Sequence, residues 1–220
     1  MGGVSKPLIK LGKKTLFEYV LDAFCRSVCE KMTVVCNPAN EQALKELAAA
    51  YGTKEIDFTY GGETRSDSVF NGVKNCGRCG FVAVHDCARP FVTPEIIENV
   101  IEGARKTGVS TACTPVTDTV KYVDAEHGVI YTPQRKNLLA IQTPQCFRKE
   151  LYLPAYLLAK SAGREYTDET SMLEAAGHGV EYVICDASNI KLTTRADVMT
   201  ARAIRLIREH DNNDKNGTGI

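Results

Sequence analysis

The sequence predicts a three-layer α/β fold around a mostly parallel sheet, with a β-rich arm protruding from it. Three observations lead there. Short apolar, β-branched runs alternate with segments of helical periodicity along nearly the whole chain. The run Phe81 to His85 is apolar almost without interruption, as expected of a strand covered on both faces. Between Thr117 and Thr143 helical periodicity disappears, and two β-rich pieces, 119–123 and 128–131, flank a polar turn. Such alternation puts helices on both faces of the sheet and gathers ligands beyond the carboxyl ends of its strands.

The elements follow in order. Thr15 to Cys29 is expected as a helix, with Leu16, Tyr19, Val20, Ala23 and Phe24 on one face and Thr15 with Glu18 as a capping box. Met32 to Cys36 reads as a strand, Asn40 to Tyr51 as a helix stopped by Gly52, Ile56 to Tyr60 as a strand and Arg65 to Lys74 as a helix. Thr93-Pro94-Glu95 opens a helix that stops at Gly108, with proline at its first position. A strand follows from Val109 to Thr114. Beyond the arm, Lys149 to Ser161 and Asp168 to Ala176 read as helices, and Val180 to Ile184 and Asn189 to Leu192 as strands. Thr194 and Asp197 cap a last helix to about His210, whose residues Val198, Ala201, Ile204 and Ile207 share a face. Residues 1–210 are thus expected to form one domain, with the arm at about 117–143 and a frayed polar tail at 211–220.

Composition narrows the function. Lys plus Arg equals Asp plus Glu, at 27 each, so nothing draws the chain generally toward nucleic acid or an anionic membrane. An anionic ligand must be held by a local basic cluster. No apolar run approaches the roughly 20 residues that span a bilayer, and residues 1–7 hold no hydrophobic signal region, so a cytoplasmic protein is expected. The nine cysteines are odd in number and mostly sit in apolar stretches, as reduced thiols do. Cys76-Gly77-Arg78-Cys79 is a lone C-x-x-C with no second pair, and reads as two thiols in a turn rather than a zinc site.

Several segments after strands are polar enough to carry chemistry. Gly61 to Ser68 follows a strand and opens a helix, so its free amides suit an anion or a base edge; the motif alone favours a glycine-rich turn with polar caps. His85-Asp86-Cys87-Ala88-Arg89-Pro90 puts a carboxylate and a guanidinium at a strand end, able to hold ribose and phosphate or simply to steady the loop. His85 reads as a core histidine. Asp118-Thr119, Arg135 and Thr143-Pro144-Gln145 add hydroxyls and a guanidinium on or near the arm. Lys6 and Lys191 lie where each could face a polyphosphate. No Ser/His or Cys/His pairing favours a covalent route. Nucleotidyl transfer needs instead positive charge around a phosphorus that gains negative charge in the transition state.

Taken together, Ser5 to Leu8, Gly61 to Val69, Val84 to Pro90, Pro115 to Lys121, Arg135, Gln142 to Phe147, Thr167 to Glu169 and Asn189 to Thr193 resemble the 2-C-methyl-D-erythritol 4-phosphate cytidylyltransferases, in order and spacing, up to about His210. The resemblance implies a Rossmann-like nucleotidyltransferase sheet, and a reaction in which CTP and the sugar-alcohol phosphate give the CDP-linked alcohol and pyrophosphate. It implies that Lys6 and Lys191 flank the α-phosphate, and that Gly62, Glu63 and Ser68 read the cytosine. Asp86 would lie near the ribose, and Arg89, Thr119, Arg135, Thr143 and Thr167 would bind the acceptor phosphate. It further implies Mg²⁺ held mainly by the triphosphate, with no dedicated protein ligands. A homodimer through the arm would bring Thr119, Arg135 and Thr143 to the neighbouring subunit's site.

Members of this family open with an apolar strand and an A-A-G-x-G-x-R-M loop, and Met1 aligns with the methionine closing that loop. A chain without that strand would leave ladder groups unpaired, and loss of the loop's arginine would cost about 10²–10³ in rate. Pro7 and Cys87 stand where the family usually has glutamine and alanine. Two readings follow: an enzyme whose sequence begins upstream of Met1, or a remnant that folds poorly or binds without turnover. The in-frame upstream DNA distinguishes them. A ribitol-5-phosphate cytidylyltransferase shares the fold and similar motifs, although Asp118-Thr119-Val120-Lys121 with Arg135 leans toward methylerythritol phosphate.

Overall fold

In the computed structural model, apolar residues at period two in the strands sort the helices onto two faces. The structure describes residues 5–217 except 53, 125 and 127, and the side chains of 211–217 lie outside the description. A short antiparallel pair, β1 (Lys10–Leu11) and β2 (Lys14–Thr15), feeds α1 (Leu16–Arg26). The expected capping box is present: Thr15 N–H donates to Glu18 Oε2 at 2.7 Å and Glu18 N–H to Thr15 Oγ1 at 3.2 Å. Then come β3 (Lys31–Cys36), α2 (Glu41–Ala49), β4 (Glu55–Tyr60), α3 (Arg65–Asn75), β5 (Phe81–Val84), α4 (Pro94–Thr107) and β6 (Val109–Pro115). The arm holds β7 (Tyr122–Asp124) and β8 (Gly128–Tyr131), an antiparallel pair. The chain ends with β9 (Leu139–Arg148), α5 (Lys149–Ser161), α6 (Glu169–Ala175), β10 (Glu181–Ile184) and α7 (Arg195–Gly217).

Strands β10, β6, β9 and β5 form one ladder, in which β9 runs antiparallel between β6 and β5. Strands β3 and β4 form a parallel pair. Among the described residues no ladder joins β3 to β5. Both nevertheless lie under the same layer: Met32, Phe81, Ala83, Ala112 and Cys146 pack against Phe24 of α1 and Ile97 and Val100 of α4. On the opposite face Val82, Val109 and Phe147 meet Val73 of α3, Tyr152 and Tyr156 of α5 and Leu173 of α6. Neighbours in sequence, Cys146 and Phe147, thus point to opposite layers, as the pleat requires.

Three local expectations need amendment. Thr143-Pro144-Gln145, expected on or near the arm, lies instead in β9, the strand between β6 and β5, with residues 142–147 buried. Its polar residues and proline masked the strand pattern. Asn189 to Leu192 is an extended segment without a ladder, so Lys191 does not sit on a strand. The last helix continues to Gly217 rather than ending at about His210, because each residue added to a formed helix gains a backbone hydrogen bond at little cost. Residues 218–220 of the expected tail lie outside the described residues.

Ile97 of α4 is 0% exposed, at the centre of one apolar layer. Ile97→Ala is expected to cost about 2–5 kcal/mol in urea unfolding, whereas Leu158→Ala on the exposed side of α5 should change stability by about 0.5 kcal/mol or less.

Candidate active site

At the carboxyl end of β5 the chain passes through His85 and Asp86. His85 Nε2 lies 3.1 Å from the Arg89 carbonyl, which can only accept, so this nitrogen donates. Nδ1 is therefore the acceptor, 3.1 Å from the Thr143 hydroxyl on β9. The Asp86 amide donates to the same hydroxyl at 3.1 Å. Thr143 is 4% exposed, and its hydroxyl is used as donor and acceptor at once. Burial pushes the His85 pKa down to about 4, so the imidazole is neutral near pH 7 and orients the start of the Asp86 loop.

Asp86 meets Lys191 at 2.6 Å through Oδ2. The contact is built from the backbone. Arg89 Nη1 donates to the Asn189 carbonyl at 2.8 Å, and the Leu192 amide donates to the Ala88 carbonyl at 2.8 Å. These two bonds tie the segment to the loop on both sides of Lys191. Asn189, 0% exposed, also donates through Nδ2 to Gln142 Oε1 at 2.8 Å and to the Thr143 carbonyl at 2.9 Å. Burial alone would raise the Asp86 pKa; Lys191, then Arg65, outweigh it and hold the carboxyl below its usual range.

The glycine loop prepares a second wall. Thr64 caps α3, with Asp67 N–H donating to Thr64 Oγ1 at 3.0 Å. Asp67 Oδ1 accepts from Tyr156 at 2.5 Å and from Lys160 at 3.0 Å, fastening the loop to α5. Gly62 N–H donates to Ser68 Oγ at 3.0 Å. A Cβ at Gly62 would stand 2.4 Å from Asp67 Cβ, so only glycine fits there. Arg65, one residue into the helix side of this loop, grips Glu169 of α6 with both ends of its guanidinium, at 2.8 and 2.9 Å. Its Nη2 also lies 4.0 Å from Asp86 Oδ1.

The residues singled out from the sequence divide into two groups. Asp86, Arg89, Thr143 and Lys191 come together, and Gly62 and Ser68 form the adjoining loop with the exposed Glu63. Lys6 is exposed on a 3₁₀ turn (Lys6–Leu8); Leu8 and Cys87 pack against one apolar cluster, with Phe17 and Leu21, and Ile9 and Cys87 against another, with Leu16 and Phe91, so the turn and the Asp86 loop border the same two clusters. Thr119, Arg135 and Thr167 are exposed. Among the described residues, no hydrogen bond or ion pair links Thr119 or Arg135 to Asp86; Arg135 instead donates to the Thr117 carbonyl at 2.7 Å. The Thr143 hydroxyl, expected at a neighbouring subunit's site, is 4% exposed in the inner half of β9 and makes both its bonds within its own chain. Arg89 is likewise 9% exposed, with Nη1 donating to the Asn189 carbonyl and Nε buried without a partner among the described residues. Sequence reasoning gave no role to Arg65, Gln145, Glu169 or Asn189, because their partners are remote along the chain. Cys76 and Cys79 have their sulfurs 3.4 Å apart in the turn before β5, unbonded.

An edge that gathers cations around one carboxylate favours reaction at a phosphorus centre. The Thr143–His85 contact offers no nucleophile, since the hydroxyl is buried and both its bonds are made. With the doubly covered sheet, these features define an α/β nucleotidyltransferase. A sequence model of the family IspD, 2-C-methyl-D-erythritol 4-phosphate cytidylyltransferase, matches residues 1–206. A relative of that name from Shouchella clausii is 37% identical over 210 residues, 94% of this chain and 91% of that protein. Another, from Alkaliphilus oremlandii, is 35% identical over 204 residues, 91% of this chain and 86% of that protein. The crystal structure of 4-diphosphocytidyl-2C-methyl-D-erythritol synthase from Anaerococcus prevotii superposes with a TM-score of 0.85 at 30% identity, covering 91% of this chain and 93% of that one. The chain belongs to the 2-C-methyl-D-erythritol 4-phosphate cytidylyltransferase family.

The folded protein keeps His85 neutral to about pH 4, while the unfolded chain protonates it near 6.5. The stability it contributes is complete above pH 6.5 and is lost as pH falls toward 4, by about 3 kcal/mol. Urea unfolding at pH 7 and pH 4.5 should show His85→Gln less sensitive to acid than the parent; equal sensitivity would place the acid-labile group elsewhere.

Proposed function

We propose that the protein transfers the cytidylyl group of CTP to 2-C-methyl-D-erythritol 4-phosphate, releasing pyrophosphate, in the non-mevalonate route to isoprenoid precursors. The observation that carries this reading is the Lys191–Asp86 contact, fixed at the carboxyl edge of the sheet by backbone bonds on both sides of Lys191. An acceptor phosphate oxygen attacks the α-phosphorus of CTP in line. The new P–O bond forms as the bond from the α-phosphorus to the bridging oxygen breaks, and pyrophosphate leaves with that electron pair. Lys6 and Lys191 supply positive charge beside the α-phosphate, where charge grows in the transition state. Gly62, Glu63 and Ser68 face the cytosine, and Asp86 orients Lys191 and the ribose side of the nucleotide. Arg89 and Thr143 hold the Asp86 and Lys191 segments from beneath, and Thr167 lies toward the acceptor.

Among the described residues no group of three or more His, Cys, Asp or Glu is placed to hold a metal ion. Mg²⁺ keeps phosphate oxygens and water as most of its ligands, so the triphosphate of CTP would be its principal holder. The ion supplies charge neutralisation on the triphosphate when bound.

The arm exposes Tyr122, Val123, Val129, Ile130 and Tyr131. An apolar hairpin of this kind suits pairing with a second copy of the chain, which would carry Thr119 and Arg135 to the other subunit's acceptor site. Among the described residues no helix is long and apolar enough to cross a membrane. The free cysteines fit a reducing compartment, the cytoplasm.

Pyrophosphate release from CTP tests the proposal. Turnover with methylerythritol phosphate and none with ribitol 5-phosphate is expected; turnover with ribitol phosphate alone would overturn the acceptor assignment. Lys191→Ala should lower kcat/KM by about 10²–10³, and an unchanged rate would remove Lys191 from the reaction. Arg135→Ala should raise KM for the acceptor while leaving KM for CTP near the parent value.

A further inference from the structure

We propose that Arg65, gripped by the buried Glu169, is a positioning residue that fixes the Asp86 carboxylate from the side opposite Lys191 and so couples the glycine loop to the reacting edge. The inference rests on the functional reading above and adds residues that it does not use.

Four separate stretches of chain meet at this point. Arg65 begins α3, directly after the glycine loop. Glu169 begins α6, which packs on the same face of the sheet as α3. Asp86 follows β5, and Lys191 follows β10. The Arg65 guanidinium makes a two-pronged contact with Glu169, at 2.8 and 2.9 Å, which fixes its plane as well as its position. The Glu169 side chain is 3% exposed, whereas that of Arg65 is 38% exposed. The pair is therefore anchored at the carboxylate and open at the guanidinium, whose Nη2 faces Asp86 Oδ1 at 4.0 Å.

Glu169 is itself held in place. Its amide donates to Gln145 Oε1 at 3.0 Å, and the Thr170 amide donates to the same oxygen at 3.3 Å. Gln145, 1% exposed on β9, donates through Nε2 to Asp168 Oδ2 at 2.8 Å. The central strand thus fixes α6, α6 fixes Arg65, and Arg65 faces the carboxylate. A strut for folding alone would need only the Arg65–Glu169 bond. The approach to Asp86, with Lys191 on the other oxygen at 2.6 Å, gives the carboxylate cationic neighbours from different elements, and among the described residues Oδ1 has no hydrogen bond of its own. The buried Arg89 guanidinium also acts on Asp86, from the Asn189 side, and His85 is neutral and turned toward Thr143 and the Arg89 carbonyl.

The test compares Arg65→Met, Glu169→Leu and the double variant with the parent. Three readouts are used: the melting temperature, the midpoint of the Asp86 carboxyl by ¹³C NMR, and pyrophosphate release. Each single variant is expected to melt lower: Arg65→Met leaves the buried Glu169 carboxylate alone, and Glu169→Leu removes the anchor of the half-exposed guanidinium. The double variant, apolar at both positions, should recover much of the melting temperature. Its Asp86 midpoint should stay above the parent's, and kcat/KM should stay down by about 10²-fold, the cost of a misplaced catalytic group. Recovery of the Asp86 midpoint and of turnover in the double variant would overturn the proposal and leave the pair as a strut. Should Arg65→Met fail to fold, Arg65→Lys keeps the charge but loses the fork. It should melt near the parent with a raised Asp86 midpoint and slower turnover, and parental values of both would likewise overturn the proposal. The melting and NMR readouts need no substrate. A parent protein that released no pyrophosphate would therefore count against the proposed function, while those two readouts would still decide the role of Arg65.

Discussion

The Lys191–Asp86 contact depends on backbone geometry far more than on the two side chains that make it. Lysine is a flexible cation, and an ion pair left to find itself at a protein surface contributes little. Here the Arg89–Asn189 and Leu192–Ala88 bonds fix the chain on both sides of Lys191. Loop and segment are thereby one unit, and the ammonium has a short reach to one carboxylate oxygen. Asn189, wholly buried beneath, ties this unit to β9 through Gln142 and Thr143. A reacting edge made of loops gains the precision of the sheet because the loops are hydrogen-bonded down into it.

Polar groups in the interior serve the same end. Thr143, His85, Gln145, Asn189 and Glu169 lie on or beneath β9 and are mostly satisfied by one another. Such networks cost solvation that only complete hydrogen bonding returns, so they specify one arrangement sharply. The protein uses that sharpness to aim three charged groups, the half-buried Asp86 and the exposed Arg65 and Lys191, from three directions. The neutral state of His85 belongs to the same economy: a protonated imidazole would have two donors and would lose its acceptance of the Thr143 hydroxyl.

Much of this was legible in the sequence. The capping boxes at Thr15 and Thr194, the proline-led start at Thr93 and the stop at Gly108 stand where local rules put them, because each depends on residues a few positions apart. The apolar strands β3, β5 and β6 were legible for the same reason. β9 was not, since Gln142, Thr143, Pro144 and Gln145 interrupt its apolar pattern; these residues are buried for their hydrogen bonds, not for their hydrophobicity. At the site, Asp86, Lys191, Gly62 and Ser68 could be named from their motifs. The inward turn of Arg89, the committed hydroxyl of Thr143 and the Arg65–Glu169 grip could not. Each joins residues tens of positions apart, and no local pattern records such a partner.

The most direct measurement of the central pairing is a double-mutant cycle on stability with Lys191→Met and Asp86→Asn, read by urea unfolding at pH 7. Coupling of about 1 kcal/mol is expected, with the double variant less destabilised than the sum of the single ones. Additivity within about 0.3 kcal/mol would contradict the pairing, and with it the arrangement of the whole edge.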